Sequence, residues 1–276
     1  MIDAHFHVWQ LARADYGWLT PALAPIYRDV RVADWHGQAQ AWGVTGGVLV
    51  QAAPTAQETA FMLQQAQDHP AVLGVVGWID MLAPDAVAQV ARCASQPLLK
   101  GLRPMLQDLS DPDWILQAAI EPVLQAMKAH GLVLDALIKP VHLSRILKLT
   151  RQHPELTVVI DHGAKPMMDA ASMNDWAALM QALADQTHPE KVVCKMSGLW
   201  TEAPAGQPVD VVRPWCEALL KIWGTQRLLW GSDWPVLELA GSYADWRRLT
   251  LDVLRAYSPQ AQADVLGENA RRIYRL

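Results

Sequence analysis

From the second residue onward, apolar and polar side chains alternate: Ile2, Ala4, Phe6 and Val8 on one parity, Asp3, His5 and His7 on the other. A period of two marks a strand with unlike faces. It predicts a strand over 2–8 that carries the acid and both histidines on its polar face. Further short apolar runs predict strands over 45–51, 72–79, 98–103, 132–138, 156–162, 191–197 and 228–233. Between them, helical spacing appears at 59–69, 84–94, 115–130, 143–153, 174–186 and 211–223. Strands that alternate with helices pair in parallel through crossovers. Eight such units in 276 residues fit a closed (β/α)8 barrel, an α/β fold in one domain over 1–276. An open doubly wound sheet ranks second, because no GxGxxG follows the first strand. The Pro- and Gly-containing stretch 201–208 reads as a long loop after the seventh strand.

Composition narrows the classes. Apolar residues make up 51% and charged ones 18%, enough for a sizeable core and against disorder. A net charge of −5 gives no reason to expect nucleic acid or an acidic membrane surface as partner. No run is long enough to cross a bilayer, and the first residues lack the basic head and unbroken apolar stretch of a secretory signal. Cys93, Cys194 and Cys216 are odd in number and widely spaced, which suits a reducing compartment. A cytoplasmic protein is expected.

A barrel gives the polar face of the first strand a special value, because chemistry in this fold sits at the C-terminal strand ends. His5 and His7, same-face neighbours roughly 7 Å apart, can converge on one ion or one water. His162 in "VVIDHGAKP" and Asp233 in "LLWGSDWPV" close the sixth and eighth strands at the same height. The fourth and seventh strands add Lys100, Arg103, Lys195 and Ser197. Any one of these is explained as well by a structural ion pair, but their recurrence at equivalent strand ends favours a site. The set suits hydrolysis: Asp233 as base, the histidines holding a divalent ion or the water itself, and cations for an oxyanion. Cys194, mid-strand, reads as a small core residue.

Thirteen tryptophans against two phenylalanines are the other anomaly. Trp9, Trp78, Trp200 and Trp234 fall at or just past strand ends, where an indole can stack on a sugar ring and donate to a hydroxyl. Ordinary packing at the rim explains each one singly as well. Shape-determining loops are expected at 10–27 and 200–208.

Together "DAHFHVW", "KGLRP", "IDHGAKP", "KMSGLWTEA", "RLLWGSDWPV" and "NARRIY" resemble the amidohydrolase superfamily. The likeness is to its second amidohydrolase-related family, in the branch of sugar-lactone hydrolases that includes fuconolactonases and rhamnonolactonases. It runs from Asp3 to Tyr274 in the expected order and implies a (β/α)8 barrel. It also implies that His5, His7 and His162 are the strand-one pair and the strand-six histidine, with Asp233 the water-activating aspartate. Arg103, Lys165 and Lys195 match basic positions of the branch and are expected to contact substrate, as are the four tryptophans at the strand ends. Members with two metals carry a bridging group on strand four, where Lys100 lies, and a histidine on strand five. Strand five here has none at its tip, and His142 comes later, at a helix start. The resemblance therefore implies at most one ion, zinc by preference, on His5, His7, His162 and Asp233, and no organic cofactor. The function expected is opening of a small sugar lactone to the aldonic acid. Other cyclic esters, a non-oxidative decarboxylation and a non-catalytic sugar-acid binder stay open as alternatives.

Overall fold

The computed structural model describes residues 1–169 and 171–276. Eight parallel strands run in sequence order: β1 (Ile2–Phe6), β2 (Gly46–Val50), β3 (Val72–Gly77), β4 (Leu99–Leu102), β5 (Val133–Ala136), β6 (Val158–Ile160), β7 (Val192–Met196) and β8 (Leu228–Trp230). The ring closes just beyond β8, where Asp233 N donates to His5 O and His7 N to Trp234 O, both at 2.8 Å. Around it lie α1 (Val32–Ala41), α2 (Ala56–Asp68), α3 (Ala86–Ala94), α4 (Glu121–Ala129), α5 (Leu143–Gln152), α6 (Ser172–Asp185), α7 (Arg213–Trp223) and α8 (Tyr243–Leu254). The short α9 (Pro259–Ala263) and α10 (Asn269–Tyr274) end the chain. The single (β/α)8 barrel expected from the alternation is therefore observed. The expected helix over 115–130 is shorter, because Pro122 in its first turn starts α4 only at Glu121. Among the described residues no helix is long and apolar enough to cross a membrane.

Period two sorts each strand cleanly. Val48, Val50, Val76, Val133, Val159, Val193 and Leu229 point into the lumen and pack together with Ile2 and Ala4. Their neighbours of opposite parity, such as Leu49, Leu134, Ile160 and Cys194, join the larger core under the helices. Each buried side chain of this kind contributes about 1.5–3 kcal/mol. The base of the lumen is plugged by Ala270, Ile273 and Tyr274 of α10.

β1 departs from the expected faces. Its register shifts between Asp3 and Phe6, so alternation is interrupted by an irregularity of the bulge kind. Asp3 turns outward and accepts from Trp35 Nε1 (3.0 Å), Tyr243 Oη (3.2 Å) and Ser232 Oγ (2.6 Å). Phe6 also faces the helices, stacked on Trp35 at 3.8 Å. Only His5 and His7 of the polar trio enter the lumen.

The tryptophans explain themselves mainly as struts between layers. Trp35 ties α1 to Asp3, Trp176 ties α6 to Gly163 O (2.8 Å), and Trp246 ties α8 to Gly231 O (2.9 Å). Trp230 reaches the other way, from β8 to Thr250 Oγ1 (3.1 Å). An indole fills the volume between barrel and helix while its N–H meets an acceptor that burial would otherwise leave bare.

Candidate active site

Above the valine layer the lumen changes from apolar to ionic. Lys195 of β7 is fully buried, with Nζ 2.5 Å from Asp135 Oδ2, 2.9 Å from Asp161 Oδ1 and 3.1 Å from His5 Nδ1. Arg103 approaches Asp161 Oδ2 at 3.2 Å and donates to the Gln51 carbonyl. Tyr274, rising from α10, donates to Asp135 Oδ2 at 2.7 Å. Two cations and two carboxylates thus compensate one another. Burial pushes the Asp135 carboxyl up to about 6, against the pull of Lys195. Burial opposes ionisation of Asp161 too, yet Lys195, His5 and Arg103 outweigh it and hold that carboxyl well below the usual range.

One level higher, four groups converge. Asp233 Oδ1 lies 3.2 Å from His7 Nε2, 3.6 Å from His5 Nε2 and 3.8 Å from His162 Nε2. His7 Nδ1 donates to the Val50 carbonyl at 2.7 Å, which leaves Nε2 as an acceptor or ligand atom. His162 Nδ1 shares a 2.9 Å hydrogen bond with Ser197 Oγ. Burial lowers the His162 imidazole to about 4, and burial with the neighbouring Lys195 drives His5 well below its ordinary value. For Asp233, burial is outweighed by His162, His7 and His5, and the carboxyl is held below the ordinary carboxylate range.

The backbone is shaped for this. His162, Lys165 and Asp233 have φ of 53°, 47° and 57°, left-handed values that cost a side-chain-bearing residue energy and cluster at functional sites. Two glycines make the room. A Cβ on Gly231 would meet His5 Cβ at 2.8 Å, and one on Gly198 would meet His162 Nδ1 at 2.3 Å.

A cavity of about 240 Å³ opens at this mouth, lined by His7, Arg103, His162, Lys165 and Asp233 on its polar side. Trp18, Met105, Leu137 and Val236 supply apolar walls, with Gln107 and Asp108 at the rim. His5, His7, His162, Asp233, Arg103 and Lys165 are therefore brought together. Lys165 stands at the edge, paired with Glu202 at 2.6 Å. Five of the expected substrate contacts do not line this cavity. Lys195 is sealed beneath His5 and has no face on the cavity. Trp9 and Trp234 are buried, with their N–H groups spent on Arg28 O (2.9 Å) and Glu238 Oε1 (2.7 Å). Trp200 packs on Gly241 and donates to Gln207 O at 3.0 Å. Trp78 faces a neighbouring cavity instead. A strand end fixes a residue's height in the barrel, whereas pleat and loop packing decide where a long side chain goes. Lys100 is likewise not at the mouth: its Nζ donates to Arg275 O at 3.1 Å, at the base.

Sequence reasoning missed Asp135, Asp161 and Trp18. The acids were visible as polar breaks at lumen-facing positions of "VLDA" and "VVID". Trp18 comes from the loop 10–27, held by its Nε1 bond to Ala52 O at 2.7 Å, and no period announces it. The loop 200–208 contributes Glu202 to Lys165 but none of the residues lining the cavity.

The donor set tests well against a metal. His5, His7 and Asp233 offer two nitrogens and one oxygen, all within 4.8 Å of one another, a combination suited to zinc. A second grouping, of His5, Asp161 and His162, shares His5 and uses a carboxylate already engaged by Lys195 and Arg103. One ion fits.

Comparison with known proteins agrees with this reading of the barrel. A relative named L-fucono-1,5-lactonase, from Burkholderia ambifaria, is 42% identical, aligned over 100% of this chain and 95% of its own. Another of that name, from Burkholderia multivorans, is 32% identical over 100% and 96%. A crystal structure of an amidohydrolase from Burkholderia multivorans with bound zinc superposes with a TM-score of 0.93, at 32% identity, over 100% of this chain and 99% of that one. The amidohydrolase family profile matches residues 2–276, and the chain belongs to that family.

Proposed function

We propose that the chain is a lactonase that opens aldonolactones of the L-fucono type to the aldonic acid. The observation that carries this is the convergence of three histidines on Asp233 Oδ1 in a small cavity that also presents Arg103 and Lys165. The two lactonase relatives support the substrate class.

Asp233 takes a proton from a water held among His5, His7 and His162, and the oxygen attacks the ring carbonyl carbon. Charge on the carbonyl oxygen is met by Arg103 and Lys165, the cations that line the cavity. The C–O bond to the ring oxygen then breaks, and that oxygen leaves as a hydroxyl with the proton Asp233 carried. One carboxylic acid and one alcohol result, so atoms balance. His7, Asp233 and His5 would hold a single zinc ion, which when bound supplies Lewis-acid polarisation of the carbonyl. Gln107 Oε1, buried without a partner among the described residues, and Asp108 are acceptors for substrate hydroxyls.

A site built to bond hydroxyls rejects rings that lack them. A pH-indicator assay of metal-analysed protein should therefore show L-fucono-1,5-lactone opened at least about a hundredfold faster than δ-valerolactone. Equal rates would reduce the protein to a generic esterase. No lactone turnover, with carbon dioxide released from an aromatic acid, would make it a decarboxylase. Tight binding of the acid without turnover would make it a binder.

A further inference from the structure

Beside the catalytic cavity lies a second one of about 430 Å³, and the two adjoin: Trp18, Met105 and Asp108 line both. The first has room for one sugar-lactone ring, so the added volume is surplus to a monosaccharide. The chemistry differs sharply between them. The second cavity has Trp18, Trp78 and Trp114 as walls, Asp15, Asp80 and Asp108 as its charged groups, and no cation among its lining residues. An anion would be repelled there, since only Asp15 has a cation beside it, Arg13 at 2.5 Å, and Asp80 and Asp108 have none among the described residues. A plain hydrocarbon would cover those carboxylates without bonding them, which is costly. A neutral polyhydroxylated ring satisfies both halves, with C–H faces on the indoles and hydroxyls donating to the carboxylates.

The Trp18 N–H is spent on Ala52 O, but the other two indoles are free to take part. Trp78 and Trp114 form their hydrogen bonds through the backbone, with Thr59 and Asp111, which leaves the indole N–H groups over for a ligand. The groove also leaves large apolar groups in water, with Trp18 36% and Leu109 39% exposed. Asp15 is held through Oδ2 by Arg13 and Thr55, while its Oδ1 has no hydrogen-bond partner among the described residues.

We propose that this second cavity is a glycosyl subsite, which binds a neutral pyranosyl unit carried on a ring hydroxyl of the lactone. The substrates then include glycosylated aldonolactones, an inference that rests on the lactonase reading of the adjoining site. Its test compares L-fucono-1,5-lactone with its 2-O-, 3-O- and 4-O-β-D-glucopyranosyl derivatives, on the wild type and on Trp114→Leu and Asp80→Asn. Neither altered residue touches the catalytic cavity, and Asn at 80 keeps the side-chain oxygen that accepts from Leu82 N. At least one derivative should exceed the parent in kcat/KM by about tenfold, the equivalent of one good contact. Both variants should lose that advantage through KM while their kcat/KM for the parent lactone changes less than about twofold. Derivatives opened no faster than the parent, or variants that slow both substrates alike, would overturn the subsite and leave the lactonase intact. A protein that opens neither parent nor derivative overturns the lactonase reading and the subsite with it.

Discussion

Two levels of the same lumen use the same residue types for opposite ends. In the lower one, Lys195, Arg103, Asp135 and Asp161 pair off until little charge is left over. In the upper one, His5, His7 and His162 all crowd a single carboxylate oxygen on Asp233. Compensation makes a floor; convergence makes a site. The floor serves the site, because its Lys195 contact to His5 Nδ1 and its Asp161 contact at 3.5 Å fix the ring that reaches upward. His5 belongs to both levels.

Removing the converging carboxylate breaks the contrast most sharply. Asp233→Asn should lower kcat by about 10²–10⁴-fold, the usual size of general-base help, with the unfolding midpoint held or raised. Near-normal turnover by a folded Asp233→Asn protein would remove Asp233 from the chemistry. Striking the floor should do the reverse. Lys195→Met strands two buried carboxylates and should cost about 3–5 kcal/mol in urea unfolding, with part regained when Asp135→Asn is added. A loss of activity at unchanged stability would instead put Lys195 in the site.

A buried carboxylate outside both levels sharpens the comparison because it is poorly compensated. Glu58 has Tyr16 Oη at 2.7 Å and Ala52 N at 3.1 Å, but its one cation, Arg13, stands at 3.3 Å. Burial pushes its carboxyl up to about 7. A raised carboxyl favours the fold fully below its unfolded value near 4.5, and that advantage drains as pH rises through 7. Between pH 4.5 and 8 the wild type should therefore lose stability relative to Glu58→Gln, by at most about 3 kcal/mol. Parallel stability–pH curves for the two proteins would refute the assignment. The smallest effect belongs to the rim. Lys165→Ala breaks a half-exposed pair with Glu202 and should shift stability by no more than about 1 kcal/mol, while KM for the lactone rises. An unchanged KM would separate Lys165 from the substrate.

The sequence conveyed architecture well because valine alternation and strand–helix spacing report directly on which face is buried. Val133, Val159, Val193 and Leu229 fall where period two puts them. It conveyed height along the barrel for His162 and Asp233, since a turn follows each. Depth was less legible. Lys195 and Arg103 carry similar signals, yet one is sealed and the other lines the cavity, because the partners that decide lie on other strands, at Asp135 and Asp161. Asp3 was misassigned to the lumen because a register shift leaves no mark in composition. Trp18 was invisible because its place depends on one bond to Ala52 O, 34 positions away.

The plug at the barrel base ties assembly to the order of synthesis. Tyr274 reaches back 139 positions to Asp135, and with Ile273 and Ala270 it shuts the lumen beneath the valines. A ribosome that has already released all eight strands still holds the hydroxyl that the innermost carboxylate is waiting for. Trimming the chain before Asn269 should accordingly yield a molten, protease-sensitive barrel rather than a slightly shorter enzyme.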